Sequence, residues 1–142
     1  WWTAEDAQKF EAHAAVIVKQ FDGYEPLPGL HINGKASLGE NIADYGGLLL
    51  GLDAFKETEQ YRKGEMLDGL TPLQLYFLGY APGWQFQIRE DILRSSLLSD
   101  VHAPPKWRVI GPLSNSPDFY QAFGIKPGQP MWRPEAERVH IW

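Results

Sequence analysis

Between Ala4 and Gln20 the apolar residues Ala7, Phe10, Ala14 and Ile17, continued by Phe21, recur at steps of three and four. That spacing lays them on one face of a helix. Thr3 ahead of Glu5 and Asp6 supplies a capping hydroxyl and acids for the first turn. From Phe21 to Lys35, Asp22-Gly23, Pro26, Pro28-Gly29 and Asn33-Gly34 forbid a regular element and predict a loop. Helical spacing returns over Leu38 to Arg62, a longer second helix that Gly64 would end. Thr71-Pro72 opens a third helix through Leu73, Phe77 and Tyr80, which Pro82-Gly83 should interrupt before Trp84. Arg89 to Leu98 reads as a fourth, with Ile92, Leu93 and Leu97 as its apolar face. Asp100 to Pro105 is a proline-bounded loop, Lys106 to Ile110 reads as a short strand, and Ser116-Pro117 opens a short helix ending near Gly124. The tail from Lys126 to Trp142 has little periodicity but two tryptophans, and is expected to wrap the body and pin itself by aromatic burial. The expected class is mainly α, with long loops and at most a short strand.

Composition narrows the function classes. A chain of 142 residues, 44% hydrophobic and 22% charged, suits one folded domain spanning residues 1–142. The absence of cysteine excludes a disulfide scaffold, a cysteine zinc cluster and a thiol nucleophile. A net charge of −5 argues against nucleic acid or an anionic membrane as the main partner. The run Leu48-Leu49-Leu50 is far too short to span a bilayer. The opening Trp1-Trp2-Thr3 carries no initiator methionine and no signal sequence, so the chain reads as one cut from a longer polypeptide.

Three groups of polar residues invite a chemical reading. Glu40 and Asp44 stand four apart on the second helix, so both carboxylates lie on one face. They are either a solvated acidic stripe or a metal ligand beside an acid that orients a neighbouring ligand. Gly46-Gly47 in the same helix would let another helix approach closely. Asp100 and His102 stand two apart in the proline-bounded loop: either an ordinary exposed histidine, or one whose tautomer the carboxylate fixes so that it can donate to developing negative charge. Arg108 either faces water or, following Trp107, is stacked on that indole and held planar.

The order of these features carries a resemblance. The stretch Gly34-Lys35-Ala36-Ser37-Leu38-Gly39-Glu40-Asn41-Ile42-Ala43-Asp44-Tyr45-Gly46-Gly47 resembles the zinc-binding helix of the neprilysin-like zinc endopeptidases, which include the endothelin-converting enzymes. Asp100-Val101-His102-Ala103-Pro104-Pro105-Lys106-Trp107-Arg108-Val109-Ile110-Gly111 is similar to that family's second active-site segment. Trp1-Trp2, Tyr76-Phe77-Leu78 running to Trp84, Ser116-Pro117-Asp118-Phe119 and Ile141-Trp142 extend the similarity along nearly the whole chain. The resemblance implies the C-terminal portion of a zincin-type catalytic domain. It gives Glu40 as the carboxylate zinc ligand and Asp44 as the acid that orients a zinc-bound histidine. It gives His102 as the donor to the oxyanion of the tetrahedral intermediate, with Asp100 as its orienter. Arg108 is implied to grip a substrate backbone carbonyl beyond the scissile bond. Trp84 is implied to line the pocket for the side chain after that bond, and Gly83 stands where the family usually has an aliphatic neighbour. Val139 stands where animal relatives carry a cysteine, which suggests a disulfide-free, bacterial-type member.

One part of the machinery is not in this sequence. None of His13, His31, His102 and His140 is followed by Glu, so there is no His-Glu-x-x-His helix to give two imidazole ligands and a general base. The family's Asn-Ala-aromatic substrate-holding segment is absent too. The expectation is a half-site: zinc in the complete enzyme, no tight zinc in this piece alone, and no hydrolysis of peptides by it. Its partners would be the peptide substrate and the N-terminal part of the same enzyme, and an uncovered helix face would favour self-association. The family resemblance favours an extracytoplasmic parent. The rival readings are a non-catalytic relative acting as decoy or scaffold, and an aromatic-rich carbohydrate-binding module.

Overall fold

The computed structural model describes residues 1–139; the similarity at Ile141-Trp142, and the tail's second tryptophan, lie outside them. Helix α1 spans Ala4–Asp22, and Thr3 forms a reciprocal capping box with Asp6 at its start. Helix α2 spans Leu38–Lys56 and stops short of the expected end. Thr58 turns extended, its hydroxyl accepts from the Tyr61 amide, and it caps a separate short helix α3, Glu59–Lys63. A threonine hydroxyl offers the backbone a local partner that competes with helix continuation, which is why one expected helix became two. Gly64 ends α3 in the left-handed conformation, φ 63°.

Helix α4, Pro72–Tyr80, opens on a Thr71–Gln74 capping box and passes at Pro82-Gly83 into a 3₁₀ turn, Ala81–Trp84. Helix α5 spans Glu90–Ser99. The expected strand at Lys106–Ile110 is instead helix α6, Pro105–Leu113. Pro105 sits at its first position with φ already set for a helix, and the Pro104 carbonyl accepts from Trp107 and Arg108. The proline-set first turn outweighs the β propensity of Val109 and Ile110. Helix α7, Pro117–Phe123, starts on a Ser116 cap and ends at left-handed Gly124, φ 63°. No strand forms among the described residues, only isolated bridges at Leu27–Leu30 and Leu67–Leu70. The protein is mainly helical, with long loops.

Helix α2 is the central element and packs against α1, α4 and α6. Its Tyr45 belongs to one core with Ile17, Phe21, Ile32, Ala103 and Val139. One turn on, Leu48 and Leu52 belong to a second core with Phe77, Leu113 and Phe119. A buried amide pair closes the first core: Asn115 Nδ2 donates to Gln20 Oε1 at 2.8 Å, and Gln20 Nε2 donates to the Gly111 carbonyl at 3.0 Å. The tail does wrap the body, but polar contacts anchor it as much as aromatic burial does. The Val139 amide donates to Asn115 Oδ1, Tyr45 Oη donates to the Val139 carbonyl, and the Arg133 amide donates to Tyr120 Oη. Val139 itself is buried, while Trp132 is only half-buried. Burial pushes the Tyr45 phenol up to about 12, so it stays a neutral donor across the ordinary pH range.

A close approach that needs glycine lies outside the Gly46-Gly47 pair. Gly47 is exposed, and a Cβ there would meet nothing within 4 Å among the described residues. Gly111 in α6 lies directly against the Phe21 ring, which a Cβ would strike. Gly111→Ala should therefore destabilise the protein by about 1–3 kcal/mol through overpacking. Gly47→Ala should stabilise it by up to about 1 kcal/mol through helix propensity. Urea midpoints of the two variants measure both, and an unshifted midpoint for Gly111→Ala would contradict the contact.

Candidate active site

Three segments distant in sequence meet at the N-terminal part of α2. The helix presents Glu40 and Asp44 one turn apart, α6 presents Arg108, and the loop before α6 presents His102. Arg108 makes a fork on Asp44: Nε donates to Oδ2 at 2.6 Å and Nη2 to Oδ1 at 2.8 Å. Nη2 also donates to Glu40 Oε2 at 3.1 Å. The Asp44 side chain is 8% exposed and that of Arg108 14%, so the fork is largely shielded, whereas Glu40 is 42% exposed. The bonds to Asp44 raise the Arg108 pKa, against a smaller opposing push from burial.

The guanidinium is held planar by a different indole from the one adjacent in sequence. Arg108 Cζ lies 4.2 Å from the Trp84 ring centroid. Trp107 instead stacks on Tyr24, centroids 4.3 Å apart at 21°. Consecutive helix residues diverge by about 100°, so Trp107 and Arg108 cannot share a face once this segment is helical.

Helix α6 carries one more device that the sequence pattern did not flag. Pro112 has no N–H, so the carbonyl four residues earlier, on Arg108, loses its helical donor. Tyr80 Oη donates to that carbonyl at 3.2 Å. Burial, aided by the nearby Asp44 charge, pushes the Tyr80 phenol up to about 12 and keeps it a donor. The Tyr80 ring also lies beside Trp84. A proline four residues beyond a candidate arginine was the one available signal for this residue.

His102 is oriented through Asp100. Its Nδ1 lies 2.7 Å from Asp100 Oδ1, and its backbone amide donates to the same oxygen at 2.9 Å. These bonds, the side-chain one foremost, hold the Asp100 carboxyl below the usual carboxylate range. With Nδ1 facing the carboxylate, Nε2 points to the cluster, 3.4 Å from Glu40 Oε2. Beside it opens a cavity of about 340 Å³ walled by Trp84, Phe86, Ile92, Leu97, His102 and Arg108. Gly83 is exposed in the 3₁₀ turn, outside that wall, and a Cβ there would meet nothing within 4 Å among the described residues. The structure thus gathers Glu40, Asp44, Trp84, His102, Asp100 and Arg108, and leaves Gly83 at the margin.

Glu40 Oε2 is taken by Arg108, while Oε1 accepts no hydrogen bond among the described residues, leaving one carboxylate oxygen for a cation. No group of three His, Asp or Glu among the described residues could hold a metal ion. The residues present fit one leg of a zinc site, not a whole one.

The sequence model of peptidase family M13 matches residues 1–139. An endothelin-converting enzyme homologue of Locusta migratoria is 40% identical over 134 residues, covering 92% of this chain and 18% of the locust protein. Human endothelin-converting enzyme 1 is 35% identical over 145 residues, covering all of this chain and again 18% of its own length. The crystal structure of the Mycobacterium tuberculosis zinc metalloprotease Zmp1 in complex with inhibitor superimposes with a TM-score of 0.90 at 33% identity, over all of this chain and 22% of that one. The chain spans about a fifth of the length of these relatives. On the ordered motifs, the shared helical framework and a match along its described length, the chain belongs to peptidase family M13, a family of zinc metallopeptidases.

Proposed function

We propose that this chain, as one structural unit, carries one wall of the active site of a zinc metalloendopeptidase that hydrolyses peptides. The observation that supports the reading best is the convergence of Glu40, Asp44, His102 and Arg108 from two helices and a loop into one hydrogen-bonded cluster. Glu40 would be this chain's zinc ligand, through the oxygen that Arg108 leaves open. Asp44 holds Arg108 by its fork and would orient a histidine ligand supplied by another segment. When bound, zinc supplies Lewis-acid polarisation of the scissile carbonyl.

The remaining roles belong to the chain's own groups. His102, with Nδ1 facing Asp100, presents Nε2 to the cluster and would donate there to the oxyanion that develops as the carbonyl is attacked. Arg108 Nη1 donates to nothing among the described residues and would grip a substrate carbonyl beyond the scissile bond. Trp84 beneath the guanidinium would serve as a wall for the following side chain, and Gly83 would leave that wall short at its edge. The general base and two imidazole ligands would come from outside this sequence, so the chain alone would neither hold zinc tightly nor hydrolyse peptides. The outer face of α2, Ala43, Gly47, Leu50 and Ala54, is exposed and would be covered by the rest of the enzyme; alone, it would favour self-association.

In the complete enzyme, His102→Ala should lower kcat by about 10²–10³-fold, the loss typical of one oxyanion donor, and unchanged turnover would remove His102 from the mechanism. Arg108→Lys keeps the charge but loses the fork, and should chiefly raise KM; a fall in kcat alone would contradict a gripping role. In this chain, Arg108→Ala strands a shielded Asp44 carboxylate and should cost about 3 kcal/mol by thermal denaturation. Calorimetric titration of the purified chain with zinc at neutral pH should show no stoichiometric tight binding. Stoichiometric zinc together with peptide hydrolysis by the chain alone would overturn the half-site.

A further inference from the structure

The segment Gln85–Ile88, between the 3₁₀ turn and α5, reads Gln-Phe-Gln-Ile, with a polar–apolar period of two. That is the period of a strand with one apolar face. Its flanks are extended: Gln85 at φ −65°, ψ 114° and Arg89 at φ −69°, ψ 148°. Yet it pairs with no described residue. No N–H or C=O of Phe86, Gln87 or Ile88 makes a hydrogen bond to any described residue. Phe86 is 69% exposed and Gln87 is exposed too, so a large ring stands in solvent beside main chain that makes no internal bond among the described residues.

The segment borders two adjoining depressions. Phe86 and Ile88 wall the cavity of about 340 Å³ that Trp84, His102 and Arg108 also line. Phe86, Gln87 and Ile88 border a second depression of about 490 Å³, lined too by Pro104, Pro105 and Trp107. A free backbone edge flanked by side-chain pockets is the architecture of strand addition, in which main-chain bonds hold an extended peptide and alternate pockets select its side chains.

We propose that Gln85–Ile88 is a docking edge for an extended peptide, and that it takes the portion of the substrate lying beyond the carbonyl that Arg108 grips. This rests on the reading of His102 and Arg108 as active-site residues, because continuity of the cavity with those two side chains is what identifies the occupant. Phe86 and Ile88 would select apolar side chains at alternate positions of that peptide. A second copy of the chain is a poor occupant, since a four-residue edge falls far short of the roughly 800 Å² per partner of a stable interface.

The test uses the 142-residue chain, ¹⁵N-labelled, titrated with an acetylated and amidated hexapeptide of alternating Leu and Thr. The amide signals of Phe86, Gln87 and Ile88 should shift together. Phe86→Ala should weaken binding about tenfold, the loss expected for one apolar ring. Gln87→Pro, which deletes a donor on the edge, should weaken binding several-fold, whereas Gln87→Ala should not. A hexapeptide of the same composition with its leucines adjacent should bind more weakly. Signals at 86–88 that do not move at millimolar peptide, or equal affinity for Phe86→Ala, would overturn the proposal. Because binding is read without zinc or turnover, the two readings fail separately. Loss of turnover in His102→Ala of the complete enzyme, with a silent edge here, rejects the edge alone. A responsive edge with unchanged turnover in His102→Ala keeps a peptide site and rejects the catalytic assignment.

Discussion

The fork between Arg108 and Asp44 is the contact on which the site depends. It joins α6 to α2 where the two helices pack, and Glu40, Trp84 and His102 are arranged around it. Glu40 shares one guanidinium nitrogen, Trp84 supports the guanidinium plane, and His102 approaches Glu40 from the loop that leads into α6. A shielded ion pair of this kind gains little net stability, because removing two charges from water offsets most of their attraction. Its effect is geometric. The arginine, with two of its three nitrogens committed to acids, has few orientations left for the third.

Much of the scaffold was legible because the chain marks its helix ends with local chemistry. Thr3, Thr71 and Ser116 cap the helices they were expected to cap, and Gly64 and Gly124 end theirs in the left-handed conformation. These signals act within four residues and need no tertiary partner. The structure departs from the pattern where a competing local signal prevails. Thr58 broke a helix that apolar spacing would have continued, and two prolines turned Val109-Ile110 from strand to helix.

The candidate site was legible as a set of residues but not as a set of contacts. Glu40 and Asp44 share a face by helical geometry alone, and Asp100 reaches His102 across two residues. Arg108 reaches Asp44 across a separation of 64 residues, which no local pattern encodes. The same limit hid the choice of Trp84 over Trp107, since the adjacent tryptophan is nearer in sequence and turned away in space. Family resemblance named the residues; the packing of α6 on α2 decides which of them touch.

Helix α6 gives up an internal bond at Pro112 and recovers it from the Tyr80 hydroxyl on another helix. The carbonyl thus tethered belongs to the arginine of the fork, so a flaw in one helix becomes a crosslink between two. Neither residue is then free to drift alone over evolutionary time. Losing the phenol orphans an acceptor, and losing the proline makes the phenol redundant. Lineages that change one should tend to change the other.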